Sequence, residues 1–559
     1  MNDHLAACGA GSPLWGGMQP RQLRVTDILQ YAVEAHPTRE IVSRDPEGET
    51  WRGNYAALGK RAQQAASALA ALGVRAGDRV ATLAWNTYRH FDLFYAVPAM
   101  GAVLATVNPR LFEAQCAWVL NHTGARVLLF DRSLADLVDR MASQLTQIQQ
   151  FVVLGSGRDK RPGPTGALSY DELLAEQEGG FEWPERDENE GAVLCYTSGT
   201  TGDPKGVLYS HRSIVLHGLV NSHPDALGIG AYDVVMPCSS LYHATAWGLP
   251  YMAPMHGAKL VLPGERLDAT NIAALIREEG VTFTCGVPTI WTTYLNYLEQ
   301  TGAGVAKLAR VLVGGACMPQ WMGARFAQYG VQTVQGWGMT ETSPVGVAGT
   351  RTPQVDVMFG SDDTDYIRSR QGRLLFGVQL RIVDDDDKVL PFDGVAAGHI
   401  QVRGPYVIQR YFNSDSSAAN PQGWFDTGDI GTVDPQGYLR LTDRAKDLIK
   451  SGGEWISSID IENRVSSYPG VRLAAVIGIP HPKWDERPLL IVDAQSPVPT
   501  AAQLIDHLRP HLARWWLPDD VVFAPIPLTA TGKIDKRTLR TTYRDRFAGP
   551  KCPPASAPT

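Results

Sequence analysis

The chain has 559 residues and a mass of 60.9 kDa, which at roughly 100–200 residues per domain is room for three to five packed units and excludes a single small binding module. Hydrophobic residues make up 44% and charged residues 19%, a composition that buries large cores and lies far from that of disordered chains. Lys+Arg 51 against Asp+Glu 58 leaves a net charge of −7; with no long basic run, nothing points to nucleic acid or an anionic membrane, and a small-molecule partner is expected.

Met1 to Gly17 has no basic stretch followed by an apolar one, so no secretory signal is read there. The seven cysteines are an odd number without any CxxC pair, which argues against a disulfide framework or zinc knuckle and for a reducing, cytoplasmic location. Short apolar runs at Arg79–Ala84, Ala125–Phe130, Val152–Leu154 and Lys259–Leu262 predict buried strands, and the 3.6-residue spacing over Tyr55–Leu72 and Ala269–Glu279 predicts helices. This alternation is that of an α/β protein with stacked sheet-and-helix lobes. The window Leu241–Leu262 is apolar but interrupted by His243, Pro250, Pro254, His256 and Lys259, which makes it a poor membrane span.

After about residue 370 the pattern becomes closely spaced strands, Gln379–Val383 and Gly398–Arg403, predicting an antiparallel hairpin region or small barrel. Asp384 to Asp387 reads as its solvated turn, with a calcium site as the competing reading. A helix starting in Asp460–Asn463, a strand at Ala474–Ile479 and a helix at Ala501–Arg509 give the last stretch the look of a small α+β unit. The Pro- and Ser-rich end, Pro550 to Thr559, reads as a frayed tail with no anchor or peroxisomal address.

The densest chemical signal is Tyr196-Thr-Ser-Gly-Thr-Thr-Gly-Asp-Pro-Lys-Gly-Val-Leu-Tyr-Ser-His211. Its glycines, hydroxyls and Lys205 make a loop suited to wrapping polyphosphate oxygens with N–H groups, hydroxyls and a cation. It lacks the GxxxxGK[ST] spacing of a P-loop, and no segment supplies a complete GxGxxG fingerprint.

This string resembles the phosphate loop of the adenylate-forming superfamily, which includes acyl-CoA synthetases, peptide-synthetase adenylation domains and luciferases. Four further segments follow in the order of that family: Gln335–Ser343, Gly423–Ile430, Asp443–Ile456 and Thr529–Lys536. With Tyr242–Trp247 and His481–Pro488, the form Lys450-Ser-Gly-Gly-Glu-Trp-Ile-Ser457 is most similar to the medium- and long-chain fatty acyl-CoA synthetase branch. The resemblance spans nearly the whole chain. It implies a large N-terminal domain, 1–442, of stacked α/β lobes plus a small β-rich lobe. A hinge at 443–446 and a small mobile α+β C-terminal domain, 447–559, complete the acyl-CoA synthetase/luciferase-like arrangement.

The implied reaction has two steps. A carboxylate attacks the α-phosphorus of ATP to give an acyl-adenylate and pyrophosphate; the coenzyme A thiol then displaces AMP. Neither step needs a covalent nucleophile, in keeping with the absence of a Cys or an activated Ser-His pair from the segments. The task is to bring two anions together and stabilise charge at phosphorus.

Carried over position by position, Thr197 and Glu341 match magnesium positions, an oxygen pair suited to that ion. Ser198, Gly199, Thr200, Thr201 and Lys205 match β/γ-phosphate positions, and Thr340 the α-phosphate position. Gly315, Ala316, Gln335, Gly336 and Trp337 match the adenine pocket, where many relatives carry Tyr in place of Trp337. Asp429 matches the ribose-binding acid and Arg444 its basic companion. Lys533 resembles the adenylation lysine, and Lys446 the pivot about which the C-terminal unit turns. Lys450 and Trp455 match nucleotide-contacting positions, Trp247 a gate between the ATP site and an acyl tunnel, and His243 the carboxylate end of that tunnel. ATP, Mg2+ and coenzyme A are the implied small molecules, and a homodimer is common in this branch. A medium- or long-chain fatty acid is the first substrate reading; a short, branched, aromatic or thioether acid, or a carrier protein as acceptor, is the alternative.

Overall fold

The computed structural model describes residues 16–46, 48–155, 163–164, 166–197, 203–360, 365–452 and 454–547. Ser198, Gly199, Thr200 and Thr201 lie outside them. The chain forms three sheets. The first has seven strands in the order Leu168–Ser169, Gln150–Leu154, Val127–Asp131, Arg79–Leu83, Val103–Thr106, Gly191–Tyr196 and Gly206–Ser210, parallel except for the last pair. Its central strands Val103–Thr106 and Val127–Asp131 are buried at every position and apolar except at their last residue, which is why they read as continuous runs rather than alternating ones.

The second sheet has thirteen strands. From Glu40–Arg44 through Lys259–Leu262, Val234–Pro237, Phe283–Gly286 and Arg310–Val313 to Gln332–Gly338 it is parallel. It then continues through Val345–Ala348 into antiparallel strands ending at Gly398–Arg403 and Gln379–Val383. The expected β-rich lobe is therefore joined to the second α/β lobe by the hydrogen bonds of Val345–Ala348, not set beside it as a closed barrel. Strand Phe425–Val433 alternates buried and exposed residues, as one covered face requires. The four aspartates form the hairpin turn, with Asp387 N–H donating to Asp384 O at 3.0 Å; among the described residues no group of three or more His, Cys, Asp or Glu could hold a metal ion.

The predicted helices occur as Tyr55–Ala71, capped by the Asn54 side chain accepting from Ala57 N–H, and Ala269–Glu279, capped by Asp268 and ended by left-handed Gly280. The apolar window is split into a left-handed turn, the helix Leu249–His256 and the strand Lys259–Leu262. No described helix is long and apolar enough to cross a membrane. The C-terminal body is a five-stranded sheet built on the long hairpin Val471–His481 and Asp485–Ala494. Its first helix, Ser458–Val465, starts two residues before the predicted position because Ser457 caps it. The chain stays bonded to the second sheet as far as Ala445, whose N–H donates to Gly428 O at 3.0 Å, and enters the C-terminal sheet at Ile449.

Asn86, at the carboxyl end of the first-sheet strand Arg79–Leu83, clasps the two large lobes. Its buried amide donates to Pro237 O and Ser239 O, both at 3.0 Å, and accepts from Leu241 N–H at 2.7 Å. Asn86→Ala strands these partners without water; it is expected to lower the thermal unfolding midpoint by roughly 2–6 °C, read by calorimetry.

Candidate active site

The predicted residues gather where parallel strands of both lobes end, the crevice at strand carboxyl ends in which open α/β sheets bind ligands. Thr197 follows the strand Gly191–Tyr196; its N–H donates to Lys205 O at 2.9 Å and its hydroxyl accepts from Lys205 N–H at 3.1 Å, closing the base of the phosphate loop. The Lys205 ammonium lies 4.8 Å from the Tyr411 ring centroid, and Tyr411 donates its hydroxyl to Glu341 Oε1 at 2.8 Å. Tyr411 thus links cation and acid, and nothing in the local sequence singles it out. Thr340 is held by its carbonyl, which accepts from Tyr209 OH at 2.7 Å. Glu341 is 6% exposed, and burial holds its carboxyl above the usual range against the Tyr411 hydrogen bond.

A second cluster surrounds Asp429, which is 2% exposed. Trp337 Nε1–H donates to its Oδ2 at 2.8 Å, and Arg444 Nε lies 2.7 Å from Oδ1, Asp429 and Arg444 being paired across two antiparallel strands. Trp337 is therefore pinned by the carboxylate predicted to hold ribose. Gln335 is buried in register beside Val313, and its side-chain oxygen has no partner among the described residues. Gly336 borders Leu312, while Gly315 and Ala316 lie exposed on the loop after Arg310–Val313. Gly315 has φ +77°, and a Cβ there would sit 3.1 Å from Val287 and 3.5 Å from Lys533 Cε, so strain and space both favour glycine.

Lys533 comes from the C-terminal body. The turn that carries it is closed by Thr529 N–H donating to Lys533 O at 2.7 Å, and it docks through Thr289 Oγ1 donating to Gly532 O at 3.2 Å. Burial, then the Arg444 charge, pushes the Lys533 ammonium down to about 8, against the pull of Asp429 and Glu341. His243 is pushed down to about 3 by burial and by Lys533, so it is neutral at working pH. It shares a small cavity with Thr106, Asn108, Tyr196, Thr197 and Thr531. Trp247 is buried against Gly314 and Gly315 at the end of a run, Ala244 to Gly248, whose φ angles are all positive. Such backbone costs roughly 1–2 kcal/mol per non-glycine residue and marks a place where the surrounding packing dictates conformation.

Lys450 and Trp455 lie on a hairpin of the C-terminal body, whereas Lys446 lies within the electrostatic reach of Asp429, Arg444 and Lys533. The Lys450 ammonium is 4.8 Å from the indole centroid of Trp455, which is 44% exposed. Lys446 lies just beyond Ala445, where the chain leaves the second sheet. Cys317, passed over in the sequence, receives side-chain amide contacts from Gln335, Gln371 and Asn463 at 3.6–3.8 Å, the last from the C-terminal body.

The profile of the AMP-binding enzymes matches residues 29–412, and that of the AMP-binding enzyme C-terminal domain matches 460–533. The chain belongs to the AMP-binding enzyme family. Within that family it is 44% identical to the 3-methylmercaptopropionyl-CoA ligase of Ruegeria lacuscaerulensis, over 96% of this chain and 100% of that protein. It is also 44% identical to the long-chain-fatty-acid–CoA ligase of Thermus thermophilus, over 95% and 98%. These likenesses make it an acyl-CoA ligase of AMP-forming type, a class that uses ATP and coenzyme A. The anthranilate-CoA ligase AuaEII in complex with anthranoyl-AMP shares its fold, with a TM-score of 0.84 at 24% identity over 95% and 99% of the two chains.

For this AMP-binding enzyme, kcat/KM for ATP should fall on the alkaline side through an apparent pKa near 8, because Lys533 loses its charge there; in Lys533→Arg that limb should move to higher pH. Trp337→Phe keeps the ring but takes the donor from Asp429, and should raise the KM for ATP about tenfold in steady-state assays.

Proposed function

We propose that this protein activates a medium- or long-chain fatty acid to its coenzyme A thioester through an acyl-adenylate, using the residues gathered above. The observation that carries this reading is the approach of Lys533, from one body, to Gly315, Asp429 and Glu341 of the other. A lysine so placed can bridge carboxylate and phosphate oxygens and screen the two anions as they meet, where positioning and charge stabilisation supply most of the rate.

In this reading, Ser198 to Thr201 and Lys205 hold the β- and γ-phosphates, and Thr340 the α-phosphate. Gly315, Ala316, Gln335, Gly336 and Trp337 form the adenine pocket. Asp429, paired with Arg444, accepts from the ribose hydroxyls. Thr197 and Glu341 would hold magnesium. Their oxygens suit a hard cation, and the raised pKa of Glu341 is that of a buried carboxylate short of positive charge. The bound ion would neutralise phosphate charge. Neutral His243 faces the acid's carboxylate end, and Trp247 stands between nucleotide pocket and acyl tunnel.

The second step asks the C-terminal domain, from 447, to turn about a hinge at 443–446 with Lys446 as pivot. That motion withdraws Lys533 and brings Lys450 and Trp455 toward the nucleotide. The buried, unbridged thiols of Cys116, Cys195, Cys238 and Cys285 support a reducing, cytoplasmic setting. A second substrate reading, a short thioether acid, rests on the Ruegeria relative, which is as similar as the fatty-acid one.

AMP release with ATP, magnesium and coenzyme A across acids of two to sixteen carbons, thioether and aromatic acids included, tests the assignment. Turnover should be greatest on medium or long chains; turnover confined to thioether acids selects the second reading. Lys533→Ala should lower adenylate formation by about 10²–10³ in pyrophosphate exchange.

A further inference from the structure

A buried network of charges and hydroxyls lies between the two bodies and takes no part in the chemistry above. Asp443 belongs to the second sheet, where it pairs with Ile430, and is 2% exposed. Its Oδ2 accepts from both the N–H and the hydroxyl of Ser458, at 2.7 and 2.6 Å, at the first turn of the C-terminal helix Ser458–Val465. A carboxylate is favoured there by the unpaired N–H groups of the helix start. Lys536 Nζ donates to the same Ser458 hydroxyl at 2.6 Å and lies 2.7 Å from Glu462 Oε1, which also accepts from Val476 N–H. Beside them, Ser457 donates its hydroxyl to Thr442 O at 2.6 Å.

The network therefore runs from the last strand of one body, through Ser458, to the residue that opens the final helix of the other. Lys536 stands three positions beyond Lys533, so whatever fixes Lys536 fixes the turn presenting Lys533. The links from Ser457 and Ser458 to Thr442 O and Asp443 Oδ2 cross the point at which the chain changes bodies. The charges are bistable: Lys536 can keep Glu462 wherever the C-terminal body goes, whereas Asp443 once separated must be rehydrated, since a buried carboxylate without partners costs several kcal/mol.

We propose that Asp443, Ser458 and Lys536 form an interdomain latch that positions Lys533 for adenylate formation and opens when the C-terminal body turns for thioester formation. The latch rests on the two-step reading given above. Asp443 and Ser458 are positioning residues and touch no substrate.

The two half-reactions separate a latch from a merely structural network. One is ATP–pyrophosphate exchange with the best acid of the panel; the other is thioester formation from coenzyme A and the chemically prepared adenylate of that acid. In Asp443→Asn and Ser458→Ala, exchange should fall about tenfold while transfer from the prepared adenylate stays within about twofold of the parent. Ser458→Ala removes one hydroxyl and guards against a folding defect in the other variant. Parallel loss of both half-reactions, or no change in exchange, overturns the latch. A parent protein that shows neither exchange nor coenzyme A-dependent product overturns the two-step reading itself.

Discussion

The arrangement turns on one buried carboxylate. Asp429 is 2% exposed, and an isolated carboxylate taken that far from water would cost several kcal/mol and take up a proton instead. Burial raises its pKa, and Trp337 and Arg444, which come to it from two other strands, together with the field of the Lys533 ammonium from the C-terminal body, oppose that rise. Satisfying this acid therefore constrains the end of the parallel strand carrying Trp337, the register of the antiparallel pair carrying Arg444, and the docking of the C-terminal turn.

The same accounting explains the rest of the crevice. Glu341 is a second buried acid, satisfied on one oxygen by Tyr411, which also faces Lys205. Lys533, with both acids near and its own ammonium destabilised by burial, sits where an incoming anion would strengthen its charge. An anion bound beside Lys533 would supply the countercharge that favours its ammonium, so binding and charge stabilisation would be one event. The left-handed run from Ala244 to Gly248 fits this picture, since strain of that kind persists only where packing on all sides holds it. Here the packing is Trp247 against Gly314 and Gly315, at the wall of the same crevice.

Much of the fold was legible in the residues. The strands Lys259–Leu262, Gln379–Val383 and Gly398–Arg403 and the helix Ala269–Glu279 occur as spacing predicted, because burial on one or both faces leaves its period in the chain. The ordered segments from Tyr196 to Lys536 named the family, and the matches over 29–412 and 460–533 agree. What spacing did not disclose was the joining of the β-rich strands to the second α/β sheet. Edge-to-edge pairing of Val345–Ala348 with Gln332–Gly338 is a hydrogen-bond choice with no hydrophobic period of its own.

By itself the sequence carried the alternation of elements and the Gly-, Thr- and Lys-rich composition of the loop after Tyr196, while Glu341, Asp429 and Lys533 were picked out only by the resemblance of their segments to the family. Only the tertiary structure decided which of these meet. Trp337 and Asp429 stand 92 positions apart, and Glu341 and Tyr411 stand 70 apart; Lys536 reaches Ser458 across 78. Tyr411 and Ser458 carry no local signal, because a lone tyrosine or serine looks like any surface residue until the chain brings a buried charge to it. Their roles arise from desolvation, which exists only once both lobes and the C-terminal body have closed around the same few polar atoms.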